Sequence, residues 1–180
     1  MTPTGQGGEA KAALGAEIGR WLQQALQQSF ERLGEGAGED MSAWVDAAPQ
    51  PTAPALLARQ HPGGAGAQQE AEQLYQRCLA QYRKVVRPQD AVRGQDDAAA
   101  ALAFFIAASC RAHQGIEVSP ATLESLERQM RGTLSHSGRW NAAPLAQRQS
   151  QVEQAAILGV LMADSWAQAR PAGAAAAAKV

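Results

Sequence analysis

Two cysteines, three histidines and a few clustered carboxylates are the residues of this chain with chemistry to offer. Cys110 and His113 stand three positions apart, which is half of a zinc-type spacing. Completing a tetrahedral set would require Cys78 and His136 or His61 to converge on them, and no second paired motif supports that. The expectation is no metal, with Cys110 a core thiol and His113 a helix-end histidine. A disulfide between Cys78 and Cys110 is the other use of the pair. In a hairpin folded near residue 91 the two cysteines would be offset by roughly 9 Å along the helices, against a usual Cα–Cα reach of about 7 Å. An irregular connection over 87–95 would absorb the difference, so the bridge and a pair of free buried thiols both stand as readings.

Ser135-His136-Ser137-Gly138 places hydroxyls beside an imidazole. A nucleophile and its base normally come from distant parts of a chain, and no Gly-x-Ser-x-Gly elbow is present, so this reads as a polar loop. Glycines 34, 36 and 38 follow no strand and lack the lysine of a phosphate-binding loop; they read as linker. Asp96-Asp97 is explained by capping of the helix that begins there. Glu153 and Asp164 lie on one face of the last helix about 16 Å apart, too far to act as a catalytic pair. Glu153, at the edge of an apolar stretch, is the carboxylate expected to be buried, with Gln149 four residues back to satisfy it. An enzymatic reading would need a site around Glu153, His113 and Tyr82.

Arg77, Arg83, Lys84, Arg87 and Arg93 form a local basic patch. Asp90, Asp96 and Asp97 neighbour it, aromatic residues are not interleaved, and the chain carries a net charge of only −1. The patch therefore reads as a solvated face or the docking site of an acidic protein rather than a nucleic-acid surface. Trp21, Trp44, Trp140 and Trp166 are spread along the chain. Trp44 and Trp140 lie in loop-like segments and, with Arg83, Arg87 and Arg93, are the expected partner-binding residues.

The elements that must position these groups are helical. Leu, Ile, Val and Phe supply only 30 of 180 residues while alanine supplies 40, so strand-forming content is low. The expected fold is all-α: four to five helices in an orthogonal or up-down bundle, with a flexible N-terminal linker and a C-terminal tail. Residues 1–66 read as an amphipathic helix over 9–33 followed by a Gly/Pro-rich linker, 67–169 as the bundle, and 170–180 as a disordered alanine-rich tail. Within the bundle, helices are expected over 67–86 (apolar face Leu74, Tyr75, Cys78, Leu79, Tyr82, Val85 and Val86), from Gln95 through His113, from Ser119-Pro120 to Gly132, and over 145–170, with a loop at 133–143. The apolar middle of the last helix marks it as central, and Gly159 on its alanine face permits a close helix approach. No apolar run is long enough to span a membrane.

Three segments carry a resemblance: Asp96-Asp-Ala-Ala-Ala-Ala-Leu-Ala-Phe-Phe-Ile-Ala-Ala, Gly115-Ile-Glu-Val-Ser-Pro, and Gln147-Arg-Gln-Ser-Gln-Val-Glu-Gln-Ala-Ala-Ile-Leu-Gly. Over about residues 70–168 the chain is similar to a family of uncharacterised bacterial proteins, all-helical and commonly exported. The resemblance implies a bacterial envelope setting and brings no catalytic residues. The start of the sequence has no basic, apolar signal pattern; the expectation is periplasmic if a signal was removed and cytoplasmic otherwise.

The functional expectation is a non-enzymatic protein-binding domain without cofactors, most concretely an immunity-type protein that binds and inhibits an antibacterial toxin. A small secreted effector or enzyme and a self-associating module are the alternatives. The expected partner is another protein, a toxin or effector, and not nucleic acid or a membrane interior.

Overall fold

The computed structural model describes residues 43–169, and these are mostly helical. The expectations placed on 9–33 and on the tail 170–180 lie outside the described residues. In chain order the elements are β1 (Trp44–Asp46), α1 (Ala53–Arg59), α2 (Ala65–Gln81), a π-helical turn (Tyr82–Val86), α3 (Pro88–Arg93), β2 (Gln95–Asp97), α4 (Ala98–Gln114), α5 (Pro120–His136), α6 (Gly138–Ala142) and α7 (Leu145–Ala169). The all-α class is as expected, with one small addition. β1 and β2 pair antiparallel, Trp44 opposite Asp97, Val45 opposite Asp96 and Asp46 opposite Gln95.

Helix α7 is the axis of the fold. It packs on α4 most extensively and also on α1, α2 and both strands. The uncharged start of α4 explains this intimacy: Ala98 to Ala101 and Ala103 are all buried, and small side chains let a neighbouring backbone come near. Gly159 of α7 is where the approach is closest. A Cβ there would fall 2.6 Å from Cδ1 of Phe104 and 3.3 Å from the Cα of Phe105. Both α4 and α5 begin as their sequences dictate. Asp97 accepts the amides of Ala99 and Ala100 at 3.0 and 3.3 Å, and Ser119 accepts that of Thr122 at 3.1 Å with Pro120 in the first turn. Gly115 ends α4 in the left-handed region at φ 67°, which a side chain would resist.

Four local expectations are corrected. The helix expected over 67–86 starts at Ala65 and is regular only to Gln81; the next five residues form the π turn, closed by Arg87 N–H donating to the Tyr82 carbonyl at 2.9 Å. Pro88 cannot continue a helix and disfavours helical geometry at the residue before it, so the chain breaks at Arg87. The wider turn shifts the register of the side chains beyond Gln81, and Val85, expected on the apolar face, is exposed; Leu74 lies at the edge of that face and is also exposed. Residues 95–97 form a strand before α4 rather than its first turn, because β1 offers them a partner. Residues 133–143, expected as a loop, continue α5 to His136 and then form α6, capped by Ser137 accepting the Trp140 amide at 3.2 Å. Finally, residues 43–66, expected as linker, contribute β1 and α1 to the packed unit.

Candidate functional site: a buried arginine–carboxylate cluster

The π turn, α3, β2 at the start of α4, and the interiors of α5 and α7 bring together three guanidinium groups, Arg83, Arg87 and Arg131, and five carboxylates, Asp90, Asp96, Asp97, Glu127 and Glu153. Arg83 grips Asp96 with two bonds, Nε to Oδ1 at 3.1 Å and Nη2 to Oδ2 at 2.6 Å. Arg87 does the same to Asp90 at 2.7 and 3.3 Å and reaches Glu127 at 3.4 Å. Arg131, from the last part of α5, bonds Asp97 Oδ2 at 2.5 Å. Since Asp97 sits at the start of α4, that bond also shows that α4 and α5 run antiparallel. Such forked pairs are among the strongest polar contacts a fold can make, and they fix geometry as well as charge.

Glu153 is fully buried, 0% exposed, and its partners explain why. Its Oε2 accepts the backbone amides of Thr52 and Ala53, each at 3.0 Å. These are free donors at the start of α1, where Pro54 follows and Thr52 gives no side-chain cap. Its Oε1 accepts from Gln149 Nε2 at 3.2 Å and lies 3.7 Å from Arg83 Nη2. One carboxylate on α7 thus caps a helix about a hundred residues earlier and meets the cluster on its other side.

Both oxygens of Asp90, Asp96, Asp97 and Glu153 are engaged by guanidinium, amide or backbone donors. These bonds leave the four carboxylates poorly placed to take a proton from a substrate. Geometrically the cluster is a clamp that ties α3 and β2 to α4, α5 and α7. Arg83 and Arg87 are held protonated: burial works against both, but the bonded Asp96 and Asp90 more than offset it and raise them above the ordinary arginine value.

Glu127 behaves in the opposite sense. Burial raises its carboxyl above the usual range, against the lowering effect of Arg87. A carboxyl raised on folding binds its proton more tightly in the native state. Its contribution to stability is therefore complete below about pH 4.5, the unfolded value, and is lost as pH rises through the elevated native value. Glu127→Gln is expected to flatten the stability–pH curve above pH 4.5, read by urea unfolding at a series of pH values; an unchanged slope would contradict this.

Tyr82 lies against the same charges. Its ring is 5.5 Å from that of Phe104, its hydroxyl is buried without a hydrogen-bond partner among the described residues, and burial pushes the phenol far above its ordinary value. An unsatisfied buried hydroxyl costs about 1–3 kcal/mol. Tyr82→Phe is therefore expected to leave thermal stability unchanged or raise it, and a clear loss would show that the hydroxyl is satisfied.

Of the expected partner-binding residues, the structure brings Arg83 and Arg87 into the cluster and leaves Arg93 exposed. Trp44 is half-buried, with the guanidinium carbons of Arg93 and Arg131 at 5.5 and 5.7 Å from its ring centre. Trp140 is buried on α6, with Arg148 at 5.9 Å from its ring centre, and lies in another part of the fold. Cys78 and Cys110 are free thiols, and burial raises Cys78 above the usual thiol value. Among the described residues no group of three or more histidine, cysteine or acidic side chains is placed to hold a metal ion, and no helix is long and apolar enough to cross a membrane. His113 ends α4, about 24 Å along the helix from the Asp97 end where Glu153 and Tyr82 lie, so the three residues of the enzymatic reading do not form one site. Glu127 and Arg131 escaped sequence reasoning; their i, i+4 spacing on α5 was the available signal.

Fold and cluster together define a small helical domain organised by an internal ionic clamp. The chain belongs to a family of unknown function, DUF6683, which it matches over residues 23–180. No curated protein and no solved structure matches it.

Proposed function

We propose that this chain is a non-enzymatic protein-binding domain. The observation that carries the reading is the corner formed by the π turn and α3. There Val85 and Val92 are 68% and 89% exposed, on a backbone held from beneath by the Arg83–Asp96 and Arg87–Asp90 pairs. Apolar side chains displayed on a rigid support lose little conformational freedom on binding, which favours recognition. The clustered buried carboxylates are engaged by the clamp. In its most concrete form the domain is an immunity-type protein that inhibits an antibacterial toxin in the bacterial envelope, a setting supported by the resemblance of residues 70–168.

Co-purification with tagged full-length chain, run beside the product of the adjacent gene, tests the reading. The expected result is a stoichiometric complex burying on the order of 1,200–2,000 Å² and suppressing the partner's activity. A catalytic activity of the isolated chain, with no complex formed, would overturn it.

A further inference from the structure

The cluster shapes the charge of the surface above it. Between Glu72 and Asp90 the sequence holds Arg77, Arg83, Lys84 and Arg87 and not one acidic residue. The carboxylates that neutralise Arg83 and Arg87, chiefly Asp90 and Asp96, are buried. Along residues 73–89 the exposed charges, Arg77 and Lys84, are therefore both positive. The nearby exposed carboxylates, Asp46 beside Gln95 and Asp164 near Cys78, come from other elements and pair with neither. Leu74, Arg77 and Gln81 are exposed at helical spacing along α2, Lys84 and Val85 are exposed on the π turn that follows, and Val92 and Arg93 are exposed on α3. Among the described residues Arg77 and Lys84 make no ion pair, and Arg93 meets the Trp44 ring rather than a carboxylate. Elsewhere on the fold Arg111 pairs with Glu117 at 2.7 Å and Arg128 with Glu124 at 3.1 Å, while Arg59 and Arg139 are exposed singly, each without a second unpaired cation close by in sequence.

We infer that this face, Leu74, Arg77, Lys84, Val85, Val92 and Arg93, docks an acidic protein surface in which carboxylates flank an apolar contact. The inference rests on the protein-binding reading and gives it a surface and a partner chemistry. Three uncompensated cations around three exposed aliphatic side chains match such a surface in charge and in polarity. Complementary charge of this kind mainly sets association rate and specificity, while the aliphatic contacts hold the complex.

Lys84 supplies the test, because it is the only lysine among the described residues. A water-soluble carbodiimide joins an ammonium group to a carboxylate in direct contact with it, with loss of one water and no spacer. Applied to the complex recovered by co-purification, it is expected to link Lys84 to an Asp or Glu of the partner. Lys84→Arg should abolish the link and retain the complex. Arg77→Glu/Lys84→Glu/Arg93→Glu should weaken binding at least 100-fold while circular dichroism stays helical. If that triple variant does not fold, Arg77→Glu/Lys84→Glu, which spares the Trp44 contact, should still weaken binding at least tenfold.

A complex that survives these reversals, with links formed elsewhere, overturns the inference and leaves the protein-binding reading standing. A chain that forms no protein complex removes both. Links from Lys84 to Glu9, Glu17 or Glu31 of the same chain, or to a second copy, would identify residues 9–33 or self-association as the occupant and overturn the inference. So would retention by duplex DNA, or by phosphatidylglycerol vesicles, that competes with the partner.

Discussion

Replacing Glu153 with glutamine is expected to destabilise the domain by about 3–5 kcal/mol, the range for removing one member of a buried ionic contact. The side chain would keep its size and lose its charge. Its Oε2 now serves two backbone amides at the start of α1, and its Oε1 serves Gln149 and faces Arg83. Glutamine has one oxygen to give. An NH2 group on the α1 side meets two backbone amides, and on the other side it faces Arg83, where only Gln149 can turn its amide to accept. Either way a donor is set against donors at a fully buried position. A domain of this size is stable by about 5–15 kcal/mol, so the substitution removes a large share. Urea unfolding at neutral pH reads the change as a lower midpoint, and a loss under about 1 kcal/mol would mean that the carboxylate is dispensable. Because Glu153 reaches α1, the variant should also lose amide-exchange protection there before it does so in α4.

The second large effect is expected at Gly159. An added Cβ would collide with the Phe104 ring at 2.6 and 2.7 Å and press the Phe105 backbone at 3.3 Å. Phe104 is not free to swing away without disturbing Tyr82, whose ring it contacts at 5.5 Å. Gly159→Ala should cost about 1–3 kcal/mol by overpacking, partly offset by about 1 kcal/mol of improved helix propensity. Gly159→Val gains less from propensity and adds two methyl groups in the same gap. It should fall at or beyond the upper end, about 3 kcal/mol, or fail to fold. Thermal unfolding of the two variants should therefore show a graded loss, alanine before valine. A valine variant as stable as wild type would mean that α4 and α7 are not in close contact.

These two positions also mark how far the sequence could be read. The close approach at Gly159 was legible because a glycine among alanines, on one face of an apolar helix, leaves room for a neighbouring backbone and serves little else there. Burial of Glu153 and its bond to Gln149 were legible for a similar reason, a charge at the edge of an apolar stretch with an amide one turn back. That an aspartate of the 96–97 pair caps α4 was legible from residue type alone, and Asp97 is the one that does so. What escaped is long-range. Nothing local says that Glu153 caps a helix built from Ala53–Arg59, since the two segments are a hundred residues apart. Pro49, Pro51 and Pro54 give that segment the composition of a linker, although proline in a first turn is also a helix start. The basic residues at 83 and 87 have the spacing of a surface patch because their acidic partners come from β2, α3 and α5, and only the tertiary fold turns those inward. The π turn, which moves Val85 into solvent, leaves no signature in composition.

An internal ionic clamp that supports an exposed, protein-binding apolar corner makes a direct demand on Val85 and Val92. Substituting both Val85→Asp and Val92→Asp probes it, because both side chains are largely in solvent and make no part of the clamp. The measurement is size-exclusion chromatography with light scattering on the variant mixed with the co-purified partner. The expected result is a variant of wild-type thermal stability that elutes separately from the partner. A variant that still forms the full complex, at the mass found for wild type, would contradict the role assigned to the corner.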